Sequence, residues 1–436
     1  MMKKILVLLF AILMYGAMMG QEAPKMPKHL VVAGQNGANV QVYDCVAKTT
    51  KSVPGYLRNI GIDNNGNVYI LVSDERSGWG NYYVYKNYDT KNPYQSLVWN
   101  NAEGIYSSMA MKVKGNDVVV AGVQSLGFND KGYQSRMFGY VNKKLVFRTD
   151  YERKSLKYDQ FKGYVKISGS GVNTKVIGYG QENNSGNPQG DHLSCVYRVE
   201  CVDYDDGKIY TGGWGEREYS ETPVGYRTQY MVRRCPRVWE NGSEYVDLPN
   251  KTGAVWNLYK PSSDDKNKVY YSGHLGSVAR LWSGDGIIKD RFDNSTYPGI
   301  VSEALAYTSE TKYKTRNVFG REIDEKCGII PYYVRAHLVK QTNGKYTLYE
   351  TLSHSDSNYT IEKRTTSKGA VTAAGNSYYA VYAKEDNTLE IFTQQRLTWG
   401  YQNKSKIVYF RRSGILCTLP KNFSPDNLKI AAVDDF

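Results

Sequence analysis

Among the residues able to do chemistry, the five histidines come first, because imidazole titrates near neutral pH and ligates metals. His29, His192, His274, His337 and His354 show no ligand-like spacing, so no metal centre is expected from them. Asp191-His192 closes a polar stretch, 183–190, rich in Gly and Asn, and His274 follows Tyr271-Ser272-Gly273. Trp214-Gly215-Glu216-Arg217 follows a Gly212-Gly213 pair. Cleavage of a polysaccharide requires residue types of this kind: a His base, a carboxylic acid, and an Arg to neutralise substrate charge. Trp214 adds a flat apolar ring beside them. Residue types alone do not make a site, and the plainer reading is of loop residues that share none.

Other catalytic signatures are missing. The sequence has no Gly-x-Ser-x-Gly elbow, no HExxH, no Walker loop and no GxGxxG after a strand. Asp63-Asn64-Asn65-Gly66-Asn67 begins like a calcium loop. Its glycine sits at the fourth position and no Glu closes it, so a turn is expected there. No cofactor is expected.

The six cysteines, Cys45, Cys195, Cys201, Cys235, Cys327 and Cys417, form no CxxC or zinc-like spacing. In an exported chain disulfides are the favoured state, and sequence alone cannot choose among the pairings. Six buried free thiols are the alternative. Ser194 to Cys201 reads as extended chain, which would hold Cys195 and Cys201 about 20 Å apart. A disulfide needs Cα atoms about 4.4–6.8 Å apart, so these two can pair only across a turn.

Export is itself an expectation from the N-terminus. Lys3-Lys4 precedes an apolar run, Ile5 to Tyr15, and then Gly16, Ala17 and Gly20. The run is too short to span a bilayer and stands where a secretory signal stands, so cleavage is expected after Gly20, although Met18 is bulkier than usual. A retained N-terminal anchor is the alternative. Residues 1–20 are thus read as a signal peptide and 21–436 as a single domain with no transmembrane segment. Its address is then the periplasm, the cell surface or the medium.

With 436 residues, a mean hydropathy of -0.55 and 23% charged residues, the chain is too evenly mixed for disorder and too polar for a multi-span membrane protein. The formal charge of +13 falls by two when Lys3 and Lys4 leave with the signal. What remains is spread thinly, with Lys312, Lys314 and Arg316 as one cluster and Arg411-Arg412 as another. A solvated face is the default for both. No dense Arg/Lys tract or known module suggests nucleic acid as a partner.

The elements that must position these residues emerge from internal repetition. Ile60 to Ile70, Met111 to Gly122, Val202 to Gly213 and Lys266 to Gly273 share one phrase: an alternating strand, a polar turn with Asn or Asp and Gly, and a β-branched or aromatic strand. Weaker copies occur at Thr174 to Gly178, Arg316 to Gly320 and Ala374 to Ala380. The anchors Tyr69, Val119, Ile177, Tyr210, Tyr270, Phe319 and Tyr379 recur at about 52 residues on average, close to one four-stranded blade with its loops. The Ile177–Tyr210 interval is too short for a full blade. Arg237 to Leu248 and Val278 to Ile287 read as outer hairpins with Trp239 or Trp282 just before the turn. Ile300 to Tyr307 is the one stretch suited to a short helical turn.

This pattern resembles secreted bacterial β-propellers of the NHL-like or Kelch-like kind, whose Asp-x-x-Gly-x-Val-Tyr hairpin recurs once per blade. The resemblance covers most of residues 29–418. It implies an all-β propeller of about seven blades, six to eight; one or two β-sandwich domains are the alternative. Ser283-Gly284-Asp285-Gly286 approaches the Asp-box of sialidase propellers, but its glycine is one position early and Trp282 precedes it, so a hairpin turn is expected. In propellers a terminal strand completes the ring. His29–Gly34 and Val40–Cys45 are expected beside Gly414–Thr418, with a Cys45–Cys417 disulfide as the staple. Strand-end loops round the channel carry ligands in this fold, so His192, Trp214, Glu216, Arg217 and His274 are expected to face one mouth.

Tyrosine, 39 residues against 11 Phe, suits sugar stacking or protein interfaces. Trp79-Gly80-Asn81-Tyr82-Tyr83, Pro331-Tyr332-Tyr333 and Trp399-Gly400-Tyr401 fit an exposed aromatic surface, although half-wet strands also favour Tyr. The expected function is non-catalytic binding or adhesion, with glycan or a cell-surface protein as partner. A polysaccharide lyase or glycoside hydrolase and an assembly component of a surface complex are the rivals.

Overall fold

A computed structural model describes residues 27–150 and 197–260 with short gaps, and the strands that follow up to residue 433; residues 1–26 and 151–196 lie outside it. The expected signal peptide, Ile177, His192, Cys195, Phe319 and Cys327 therefore lie outside the described residues. Among the described residues there is no helix, and hence none long and apolar enough to cross a membrane.

The chain is all-β, and its strands group into four-stranded antiparallel sheets. The first holds β1 (His29–Asn36), β2 (Asn39–Asp44) and β3 (Thr49–Pro54). The second holds β4 (Tyr56–Ile62), β5 (Val68–Ser73), β6 (Tyr82–Lys86) and β7 (Gln95–Leu97). The third holds β8 (Ile105–Lys114), β9 (Asp117–Asn129), β10 (Gly132–Val141) and β11 (Lys144–Arg148). The fourth holds β12 (Tyr197–Asp205), β13 (Lys208–Val224), β14 (Arg227–Glu240) and β15 (Ser243–Val246). In the fifth are β16 (Gly253–Tyr259), β17 (Tyr270–Leu275), β18 (Val278–Ser283) and β19 (Gly286–Ile287).

The sixth sheet starts at β20 (Gly299–Thr308); a two-stranded insert of β21 (Thr315–Arg316) and β22 (Glu322–Ile323) precedes β23 (Tyr332–Lys340), β24 (Tyr346–His354) and β25 (Thr360–Thr366). The seventh comprises β26 (Val371–Ala373), β27 (Tyr379–Ala383), β28 (Thr388–Tyr401) and β29 (Lys404–Thr418). Finally β30 (Asp426–Val433) pairs antiparallel with β1 and completes the first sheet in the order β3-β2-β1-β30.

Five of the sequence anchors, Tyr69, Val119, Tyr210, Tyr270 and Tyr379, fall on the second strand of a sheet. The two Trp-bearing outer hairpins form β14–β15 and β18–β19, with Trp239 and Trp282 buried. Two expectations need correction. Ile300 to Tyr307 lies within strand β20 and is not a helical turn. Gly414–Thr418 lies on β29 and pairs with β28, so it does not flank β1. The strand that does is β30, whose Leu428-Lys429-Ile430-Ala431 run lies past the repeating region.

Each core fills the space between two sheets. Val31, Ala33, Val40 and Val42 of the first pack with Ile60, Ile70 and Val72 of the second. Similar clusters join the second to the third sheet, the third to the fourth, and the fourth to the fifth. Sheets covered on both faces need strands apolar on both sides, which is why Val68–Ser73 is buried at every position. Contacts between the sheets' inner strands run from β30 to β4, β8, β12, β16, β20 and β26, and from β26 back to β30.

A β-bulge recurs along this series. Arg58, Ser107, Glu200, Trp256 and Val301 are each the extra residue at a register shift of their strand, and β30 carries a similar shift facing Ala33–Gln35. Opposite two of these bulges the second strand holds a glycine. A Cβ at Gly213 would lie 1.8 Å from Arg198 O, and one at Gly273 1.8 Å from Ala254 O. The glycines that end the repeating phrase at these two positions are therefore demanded by the close backbone approach.

Candidate functional site

Strands β4, β8 and β12 run side by side in one sense. Toward their starts Val199 N donates to Ser108 Oγ at 3.0 Å and Asn59 Nδ2 to Met111 O at 2.6 Å. Just past their ends Asn64 N donates to Gly115 O at 3.0 Å. Each end carries its own charged group.

The group at the finishing end centres on Asp203, which is fully buried. Its Oδ2 accepts from Lys112 Nζ at 2.6 Å and from Lys260 N at 2.8 Å, and its Oδ1 from Tyr204 N at 2.8 Å. Lys114 Nζ donates to Tyr204 O and Lys260 O at 2.7 and 2.8 Å and lies 3.8 Å from Asp205. Lys260 Nζ stands 3.5 Å from the same carboxylate. Burial pulls the Lys114 ammonium below its ordinary value, and Asp203 and Asp205 oppose that pull. Side chains from three sheets thus satisfy one another, a pattern of architecture more than of ligand binding.

The starting end is different. Arg58 and Glu200 are bulge residues, Arg198 precedes Glu200 by two, and Lys429 lies on β30. Arg198 Nε stands 2.7 Å from Glu200 Oε1. Burial pushes the Glu200 carboxyl up, against the pull of Arg198, Lys429 and Arg58. Burial likewise pulls the Lys429 ammonium down, with Glu200 opposing and Arg58 adding. Strands β4 and β12 are not neighbours, since β8 stands between them. Arg58 on β4, Arg198 and Glu200 on β12 and Lys429 on β30 are thus near enough to act on one another's charge.

Arg58 is held firmly there. Its Nε donates to Ser73 Oγ at 2.9 Å and its Nη2 to the carbonyls of Glu75 and Arg76 at 2.9 and 3.0 Å. The same β5–β6 loop presents Trp79, 38% exposed, between Gly78 and Gly80. Gly80 has φ 147° and a Cβ there would meet Asp74 Oδ1 at 2.3 Å, so glycine is required. Asn81 stitches this loop to the next: its Oδ1 accepts from Trp99 N at 2.7 Å. Val98 and Trp99 are 55% and 46% exposed. An apolar rim therefore stands on the loops that anchor Arg58. Tyr82, from the same sequence cluster, is buried instead and donates to Gly78 O at 2.5 Å; burial pushes its hydroxyl to about 12.

Of the residues expected from sequence, Trp214 joins this end. It is half-buried on β13 as the register partner of Arg198, hence on the same face, and the Arg234 guanidinium lies 4.4 Å from its ring centre. Glu216 and Arg217 lie within the long β13–β14 hairpin, opposite Arg234 and Arg233, and not in a strand-end loop. His274 is near the end of β17, paired with Ala254 and Ala279. Asp63 accepts from the N–H groups of Asn65 and Asn67, the turn expected there. Among the described residues no group of His, Cys, Asp or Glu could hold a metal ion.

Sequence reasoning missed Arg58, Arg198, Glu200, Lys429 and Trp99. One signal was present: the adjacent polar pair Arg58-Asn59 breaks the alternation of β4, as a bulge does.

Of the cysteines, Cys201 and Cys235 are buried on β12 and β14, with β13 between them. Strands two apart lie about 9.5 Å from each other, too far for a disulfide. Compared with known family models and with curated proteins, the chain matches none of them.

Proposed function

We propose that the seven four-stranded sheets form a seven-bladed β-propeller closed by β30, and that the starting end of its axis binds an acidic glycan without cleaving it. The return of β30 to β1, the cyclic series of inner-strand contacts and the recurring bulge support the ring. The observation that carries the binding reading is the excess of Arg58, Arg198 and Lys429 over Glu200, beside a rim of Trp79 and Trp99. A bound carboxylate or sulfate offsets the repulsion among crowded cations. Exposed indole rings stack on the apolar faces of sugars. On this reading the chain is exported and meets acidic polymers at or beyond the cell surface.

A glycan array probed with the chain lacking residues 1–20 tests this, with neutral glycans as the second arm. Signal on uronate-bearing or sulfated glycans is expected, weakening as salt rises. Silence across both arms would reject glycan binding and favour the role of an assembly component in a surface complex.

A further inference from the structure

Cys45 follows β2, while Cys417 lies near the end of β29, and the two come from opposite ends of the chain. They meet at one apolar seam. Cys45, 2% exposed, packs with Leu30, Val32, Tyr43, Leu419, Phe423 and Leu428, and Cys417 lies against the same cluster. Both thiols are free, and each shifts the titration of the other, so the two lie close together in this seam. The segment between β29 and β30 passes over this seam, with Phe423 N donating to Pro420 O at 2.8 Å. One face of the β1–β30 pair, through Leu30, Val32, Leu428 and Ile430, therefore packs in the same cluster as the two cysteines.

We propose that Cys45 and Cys417 are a redox clasp, oxidised to a disulfide that locks the terminal strands together. Of the two, Cys417 is the more exposed, and the neighbouring Cys45 thiol favours its thiolate against the opposing effect of burial. Burial and the Cys417 neighbour push the Cys45 thiol up. Cys417 is thus the attacking sulfur. Its thiolate attacks one sulfur of a disulfide oxidant such as oxidised glutathione, forming a mixed disulfide and releasing one glutathione thiolate. Cys45, giving up its proton, then attacks the Cys417 sulfur and displaces the second glutathione. Two protein thiols are oxidised and one oxidant disulfide is reduced to two thiols. Both cysteines pack in the same apolar cluster, and formation of the bond brings their sulfurs to about 2.05 Å. The bond encloses nearly the whole chain, the case in which restriction of the unfolded state is greatest.

The full chain, treated with oxidised glutathione, alkylated and digested without reductant, reports the pairing by mass spectrometry. A Cys45–Cys417 linked peptide is expected in the wild type and in Cys201→Ala, and not in Cys417→Ala. Thermal unfolding adds a second readout: dithiothreitol is expected to lower the midpoint of the oxidised wild type by about 10 °C and leave Cys417→Ala unmoved. Both cysteines alkylated after oxidation, or either linked elsewhere, would overturn the clasp.

Discussion

The two ends of the inner strands carry a similar inventory of charges and use it differently. At the finishing end Lys112, Lys114 and Lys260 surround Asp203 and Asp205, and the donors are taken up by carboxylates and backbone carbonyls. At the starting end Arg198 pairs with Glu200, Arg58 is held by Ser73 and two backbone carbonyls, Lys429 lies within the influence of Glu200, and exposed Trp79 and Trp99 stand on the neighbouring loops. The first arrangement stabilises the junction of three sheets. The second carries Arg58, Arg198 and Lys429 against Glu200, and on the proposed reading that excess of cations is what an anion would offset by binding.

The largest effect that would sharpen this contrast is at Asp203. Asp203→Ala removes the buried carboxylate that accepts from Lys112, Tyr204 N and Lys260 N, and a loss of about 3–5 kcal/mol is expected by urea denaturation. A loss below about 1 kcal/mol would mean that the finishing end is not architectural. Gly213→Ala comes next. Its Cβ would collide with Arg198 O, so a loss of about 1–3 kcal/mol is expected, together with weaker glycan binding because Arg198 moves.

The smallest effect is pH-dependent. Burial raises the Glu200 carboxyl above the ordinary value of 4.5, so the folded state holds its proton longer than the unfolded state. Stability from this residue is therefore lost as pH rises from about 4.5 through the folded value. Glu200→Gln should flatten that part of the stability–pH curve, and identical curves for the two proteins would remove Glu200 from the account.

Much of the all-β sheet pattern was legible because turns and alternation are local. The second strands announce themselves by Asn-Gly or Asp-Gly turns followed by runs such as Val68–Ser73. The terminal strand β30 was not legible: it follows no such turn, and its partner β1 lies at the other end of the chain. The site was legible only through Trp214 and the Trp79 cluster. Arg198 and Glu200 look like ordinary alternating strand residues, and only a bulge repeated in successive sheets brings them and Arg58 near enough to act on one another's charge.

The central claim, that the cation excess at the starting end is a binding site, is tested most directly at Lys429. Isothermal titration calorimetry of an acidic oligouronate against wild type and Lys429→Met is the measurement. The account predicts micromolar-range binding by the wild type, weakened about tenfold or more in Lys429→Met, whose own stability is unchanged or higher because a half-buried cation has been removed. Equal affinity in the two proteins would contradict it.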